Sequence, residues 1–323
     1  MEPEVIEGIG ALRERGLLAD QTASYLLRVA RGDLVSVRLE LRTLLYLGVL
    51  LLTTGVGLFI REHHERIGPA AIASVLGLAA AACFFWVVRR AAPFTWDRAA
   101  GGNVAFDYVL TLGLLLVAAD LAYLEVQFGL LGPEWPYHLL AVSILCLVAA
   151  FRWDSAMVLG LALTSFAAWR GVSVNILHGV VRPEGLGETR GNALACGALF
   201  VLLGVVLARA GKKLHFEDVW LNFGLLLLFG GLLSGVFGEP FLWGAWLAAL
   251  AVVAGVEVWL AFRAGKTLYF AEGVLAAYLG LLRFLFELFE SARSGAAFFL
   301  VVAGSAAGVL GLIAIAHRRM RER

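Results

Sequence analysis

Apolar residues run along this chain in long blocks, without the alternation of a half-buried strand or the one-sided stripe of a surface helix. After a mixed stretch over 1–40, apolar blocks follow at 41–60, 68–88, 104–124, 136–151, 154–169, 191–208, 217–237, 241–262, 267–287 and 295–316. A helix needs about 20 mostly apolar residues to cross a bilayer, and helices apolar on every side belong in a membrane or a large core. The pattern predicts an all-α integral membrane protein with about ten transmembrane helices. The fifth block is short. Behind it, 170–190 carries Val172, Val174 and Ile176 in alternation, which fits an interfacial strand or a re-entrant piece. Other connections are brief, and Gly132-Pro133 and Glu239-Pro240 mark two tight turns.

Residues 1–40 read as a short helical hairpin. Val5, Ile9 and Leu12 share one helical face, and Gly16 is a stop. Asp20 is placed to cap a second helix with the face Ala23, Leu26, Leu27 and Ala30, ending at Gly32. Two short helices suggest a DNA reader, but five arginines stand against seven acids there, the wrong sign for phosphate. The hairpin is better suited to the membrane face or a protein partner.

Composition agrees with the block pattern. The chain is 61% hydrophobic and 16% charged, where a soluble domain runs near ~45–50% and ~25%. A net charge of +1 excludes a free nucleic-acid binder. Cys83, Cys146 and Cys196 sit singly in apolar blocks and read as small buried hydrophobes. No cleavable signal precedes the first block, which itself targets the chain to the membrane. With the N-terminus inside, 19 of the 26 Lys and Arg fall on the inner side and 6 on the outer. That bias places both termini in the cytoplasm, with residues 317–323 as a basic tail.

The chain also repeats. Shifted by 111 residues, Asp107 meets Asp218, Gly113-Leu114-Leu115-Leu116 meets Gly224-Leu225-Leu226-Leu227, Trp135 meets Trp246, and Ala150-Phe151-Arg152 meets Ala261-Phe262-Arg263. Fourteen identities fall across 107–152, against roughly five expected by composition. This predicts two parallel four-helix units, 104–208 and 217–316, with the first two blocks outside them.

The opening residues carry a resemblance. Ile9-Gly10-Ala11-Leu12, Gly16-Leu17-Leu18 and Gln21-Thr22-Ala23 are followed by Leu44-Leu45-Tyr46-Leu47-Gly48-Val49-Leu50-Leu51-Leu52-Thr53-Thr54-Gly55-Val56-Gly57. Over roughly residues 6–90 the chain resembles the uncharacterised bacterial membrane family known as domain of unknown function 2157. The resemblance implies a bacterial inner-membrane protein and brings no activity, cofactor or catalytic residue.

Ionisable groups inside membrane spans are costly and mark candidate sites. Here they are Asp107, Asp120, Glu257, Glu272, Arg283 and Glu287. Glu272, Arg283, Glu287 and Glu290 fall within about 60° of one another on a helical wheel, a stripe that should avoid lipid. Arg283 and Glu287 are also spaced to neutralise each other. Asp107 and Asp218 stand at helix starts, where carboxylates satisfy orphan N–H groups. Glu257 replaces Cys146 of the other copy, and Asp120 replaces Gly231, so the repeat's packing requires neither.

His63, His64, His138 and His178 share one side without metal-ligand spacing, so no metal or cofactor is expected. Gly231, Gly235, Gly304, Gly308 and Gly311 are read as close-packing positions or contacts of a homo-oligomer. Trp86, Trp96, Trp135, Trp169 and Trp243 read as interfacial anchors. The leading expectation is a non-enzymatic transport or conduit protein for a small solute or ion. The rivals are a scaffold or sensor that engages a partner through residues 1–40, and an enzyme of lipid or glycan processing.

Overall fold

Nine helices form among the described residues, and every long apolar block from residue 68 onward becomes one. They are α1 Pro69–Arg90, α2 Val104–Phe128, α3 Tyr137–Trp153, α4 Ala156–Trp169, α5 Leu186–Arg209, α6 Glu217–Gly238, α7 Trp243–Ala264, α8 Thr267–Ala292 and α9 Gly295–Arg321. The computed structural model describes residues 68–97, 104–129, 131–172, 186–292 and 295–321, with scattered positions before 68. The block 41–60, most of the hairpin over 1–40, and 173–185 lie outside the described residues. The chain divides into two units, Met1–Gly68 and Pro69–Arg323. In the first, Asp20 is not the expected cap: it lies in a helical stretch, and Arg13 Nε donates to its Oδ1 at 2.8 Å.

Seven helices are long and apolar enough to cross a membrane: α1, α2, α5, α6, α7, α8 and α9. The chain is an all-helical, multi-pass membrane protein. Helices α3 and α4 are apolar but shorter, at 17 and 14 residues. At about 1.5 Å rise per residue, α4 reaches ~21 Å, short of a ~30 Å hydrocarbon core.

Other boundaries move because polar residues find partners inside helices. Helix α5 starts at Leu186, five residues before the expected 191, and residues 186–190 are helical. Arg190 is buried there, its Nη1 donating to Glu239 Oε1 at 2.8 Å. Helix α9 runs on to Arg321, so most of the expected tail is helix. His317 sits 3.1 Å from the Thr267 hydroxyl, and Met320 is buried against α7 and α8.

The most extensive contacts pair α1 with α2, α3 with α4, α5 with α6 and α7 with α8. One core gathers Val87, Leu110, Leu114, Cys146, Leu159 and Phe200 with Trp220; a second forms around Val236, Leu250 and Ala276. Elsewhere large side chains such as Val126 and Phe299 stand exposed, as lipid-facing positions do.

Local interactions recur at the spacing of 111. Helix α3 ends on Asp154 in the left-handed conformation (φ 62°), and α7 ends on Gly265 likewise (φ 68°). The next amides close the same turn: Ser155 N–H donates to Ala150 O at 3.2 Å and Lys266 N–H to Ala261 O at 3.0 Å. Thr111 Oγ1 donates to Asp107 O at 2.7 Å, and Asn222 Nδ2 to Asp218 O at 2.6 Å. Gly113 of α2 faces Cys83 and Phe84 of α1, as Gly224 of α6 faces Gly197 and Val201 of α5.

The small-residue expectation divides. A methyl group at Gly231 would lie 2.9 Å from Leu194, and one at Gly235 only 2.3 Å from the Trp246 ring. At Gly304, Gly308 and Gly311 it would meet nothing within 4 Å. Among the described residues these three glycines of α9 are therefore not close-packing positions, since α9 packs mainly against α8.

Candidate functional site

The polar residues collect at the two ends of the bundle. One end gathers the connections 91–97, 154–155, 210–216 and 265–266, and it holds all three lysines of the chain. Lys213 Nζ donates to Asp154 Oδ1 at 2.7 Å, with side chains 1% and 8% exposed. His215 Nε2 lies 2.7 Å from the same oxygen. Phe94 and Phe216 flank the ammonium, and Lys213 N–H donates to Trp96 O at 2.9 Å. Asp154 and Lys213 are the two non-glycine residues with positive φ among those described. Such backbone persists where surrounding contacts over-determine it. The sequence reading passed over this node. Its one signal is Asp154 at the position that glycine takes in the second copy.

Beside it lies a second cluster, on α6 and α8. Lys266 Nζ donates to Asp218 Oδ1 at 2.8 Å and Tyr269 Oη–H to the same oxygen at 3.0 Å. The Asp218 carboxylate thus joins α6 to α8 and is no simple helix-start cap. Asp107, its counterpart, lies in the first turn of α2 without a comparable lysine at the equivalent of 266, where Ser155 stands.

Glu257 lies deeper. It projects from α7 toward α8 and is 7% exposed, and neither carboxylate oxygen meets a hydrogen-bond donor. A Cβ on Gly273 of α8 would stand 2.9 Å from its Oε2, so glycine makes room for this carboxyl. Glu272 on α8 is half-buried and adjoins Gly273, the residue that meets Glu257 Oε2. A line of polar groups thus runs from Lys266 and Asp218 through Tyr269 and Glu272 to Glu257.

At the other end Arg283 and Glu287 pair along α8 at 2.8 Å, with the guanidinium 5.6 Å from the Trp243 ring. Arg283 stands eleven positions beyond Glu272 on α8, about 16 Å of helix. There Gly280 abuts Leu247 and Leu250, and Ala276 packs on the second core. The expected acidic stripe is thus two separate features with an apolar middle. The Glu290 side chain lies outside the described ones.

Asp120 stands apart on α2. Its Oδ1 meets no donor, and its Oδ2 approaches Gly77 of α1, 3.5 Å from where a Cβ would be. The six candidates therefore do not form one site. Glu257 joins Glu272, Arg283 joins Glu287, and Asp107 and Asp120 remain separate.

Four of the five tryptophans expected as anchors meet a cation. Arg90 lies over Trp86, Lys212 over Trp96, Arg170 over Trp169 and Arg283 over Trp243, at 4.5 to 5.6 Å. Trp135 stacks instead on His138, whose ring nitrogen meets the Trp135 carbonyl. Among the described residues no group of three or more His, Cys, Asp or Glu is placed to hold a metal. No family model, curated protein or solved structure matches the chain.

Proposed function

We propose that this membrane protein is a non-enzymatic transport or conduit protein for a small solute or ion. In this reading it lies in a bacterial inner membrane with both termini in the cytoplasm. One observation carries the proposal: Glu257 is a carboxyl buried among apolar helices, without a donor for either oxygen. Such a group is costly, and a purely structural role would have supplied it with a partner, as Lys213 supplies Asp154. The lysine-bearing end corresponds to the inner side of the charge bias. The polar line toward Glu257 then opens to the cytoplasm, and the apolar middle of α8 blocks it from the outer side. A carrier that exposes its site alternately fits this arrangement better than an open pore.

The matched turns and hydrogen bonds support two related units. In this reading the units are α1–α4 and α5–α8, with α9 outside, a frame in which the most extensive helix pairs fall within units; the sequence alone suggested units of 104–208 and 217–316.

The test is flux in proteoliposomes. The wild-type chain is compared with the triple variant Glu257→Gln, Glu272→Gln and Asp120→Asn for uptake of protons, sodium and potassium. A wild-type flux that falls tenfold or more in the variant supports the reading; equal fluxes, including none in either, overturn it.

A further inference from the structure

The spacing of 111 sets two helix crossings side by side. In the first, Cys146 of α3 is fully buried against α4, and Ser143 Oγ–H donates to Ala162 O at 2.9 Å. In the second, Glu257 of α7 takes the place of Cys146 and Gly273 of α8 that of Ala162. Glu257 Oε2, Val258 Cγ2 and Ala254 O stand 2.9, 2.9 and 3.2 Å from the methyl position that Gly273 lacks. A larger, acidic side chain at one position is thus met by a smaller residue at the other, and the glycine leaves room for both the Glu257 carboxyl and its neighbour Val258.

What would occupy that carboxyl is constrained by its neighbours. A metal cation of the oxygen-seeking kind takes about six or more oxygen ligands, and no group of three or more such residues is placed for one among those described. Helices α6 and α8 pack against α7. On α8, Glu272 adjoins Gly273, the residue that lies against Glu257 Oε2, while Tyr269 is committed to Asp218. From α6 come Asp218 and Glu217, and beside them Lys266 lies 2.8 and 3.9 Å from these two carboxylates. On α7 itself Arg263 stacks over Trp259 at 3.9 Å. Two carboxylates in one low-dielectric site do not both stay ionised, because burying like charges together is prohibitive.

We propose that Glu257 is a proton-binding site with Glu272 as its electrostatic partner, so that the ion this chain takes up is the proton. The inference rests on the transport reading and names its ion. At rest the pair shares one proton, held on a Glu257 carboxylate oxygen, and carries one negative charge. Release of that proton to water at the lysine-bearing end leaves two negative charges, a costly state that draws the next proton in.

The experiment is infrared difference spectroscopy between alkaline and acidic buffer, on the full chain in liposomes. The carbonyl stretch of a protonated carboxyl is read in H2O and D2O. The wild type is expected to show a deuterium-sensitive band that is lost in Glu257→Gln and kept in Glu272→Gln. The double variant Glu257→Cys with Gly273→Ala rebuilds the first crossing, so it guards against misfolding and also loses the band. Absence of the band in the wild type, or its survival in Glu257→Gln, overturns the proposal. So does calorimetric binding of sodium or calcium that vanishes in Glu257→Gln. A band without proton flux would instead sink the transport reading and leave the proton site standing.

Discussion

Replacing Gly224 by alanine tests how the α5–α6 pair is held together. In a bilayer, helix association rests on close packing more than on apolar burial, since lipid is as apolar as leucine. The added methyl would stand 2.7 Å from Val201 Cγ2 and 2.9 Å from both Gly197 O and Val201 N. Two of these three atoms are backbone, so they cannot swing aside as Leu194 can before Gly231. The helices must separate by about half an ångström, and overpacking of this kind costs roughly 1–3 kcal/mol. Alanine returns about 0.5–1 kcal/mol in helix propensity. A net loss of about 1–2 kcal/mol is expected, and Gly197→Ala, facing Gly224 O at 2.7 Å, should lose as much. Gly304→Ala and Gly308→Ala are the controls. Their methyls meet nothing within 4 Å, so they should be neutral or stabilising. The assay is reversible SDS-titrated unfolding in mixed micelles, followed by tryptophan fluorescence. If Gly224→Ala unfolds with the wild type, or Gly304→Ala loses as much as Gly224→Ala, close backbone approach is not what holds this pair.

The same titration checks three further outcomes. Lys213→Met should cost up to about 3–5 kcal/mol, because it leaves the buried Asp154 carboxylate to His215 alone of its two partners. Combined with Asp154→Gly it should cost less than the two single changes added, since the charge is gone and glycine suits the left-handed position. Arg283→Gln should change stability by no more than ~1 kcal/mol, because Glu287 is 46% exposed and keeps its solvation. Gly273→Ala should destabilise by roughly 1–3 kcal/mol through its contact with Glu257, and most of that loss should disappear when Glu257→Cys is added.

What could be read from the chain follows from which forces are local. The apolar blocks set the helices from residue 68 onward, because bilayer thickness is a ruler that composition alone can meet. Boundaries slipped at Arg190 and His317, whose partners Glu239 and Thr267 lie 49 and 50 residues away. Pairing at that range leaves no trace in local hydropathy. Lys213 and Asp154 were missed for the same reason: Lys213 counted only toward the charge bias and Asp154 only opened an apolar block, and their joint burial arises only when 59 residues of chain fold back. Glycine was equally ambiguous. Gly235 and Gly308 sit in similar apolar contexts, and only the element opposite decides whether a methyl would clash.

The repeat spacing is where sequence and geometry inform each other most, because it turns single residues into differences. At the turn, Asp154 stands where the second copy has Gly265, and a buried lysine comes with it. At the crossing, Glu257 and Gly273 stand where the first copy has Cys146 and Ala162. The first substitution introduces a charge together with its partner, and the second introduces a charge without one. A paired charge can be explained by local architecture. An unpaired one, with space cleared for it by the facing helix, is costly to fold and is accounted for only by what it binds. Asp120 also leaves one oxygen without a donor; what singles out Glu257 is that neither of its oxygens has one.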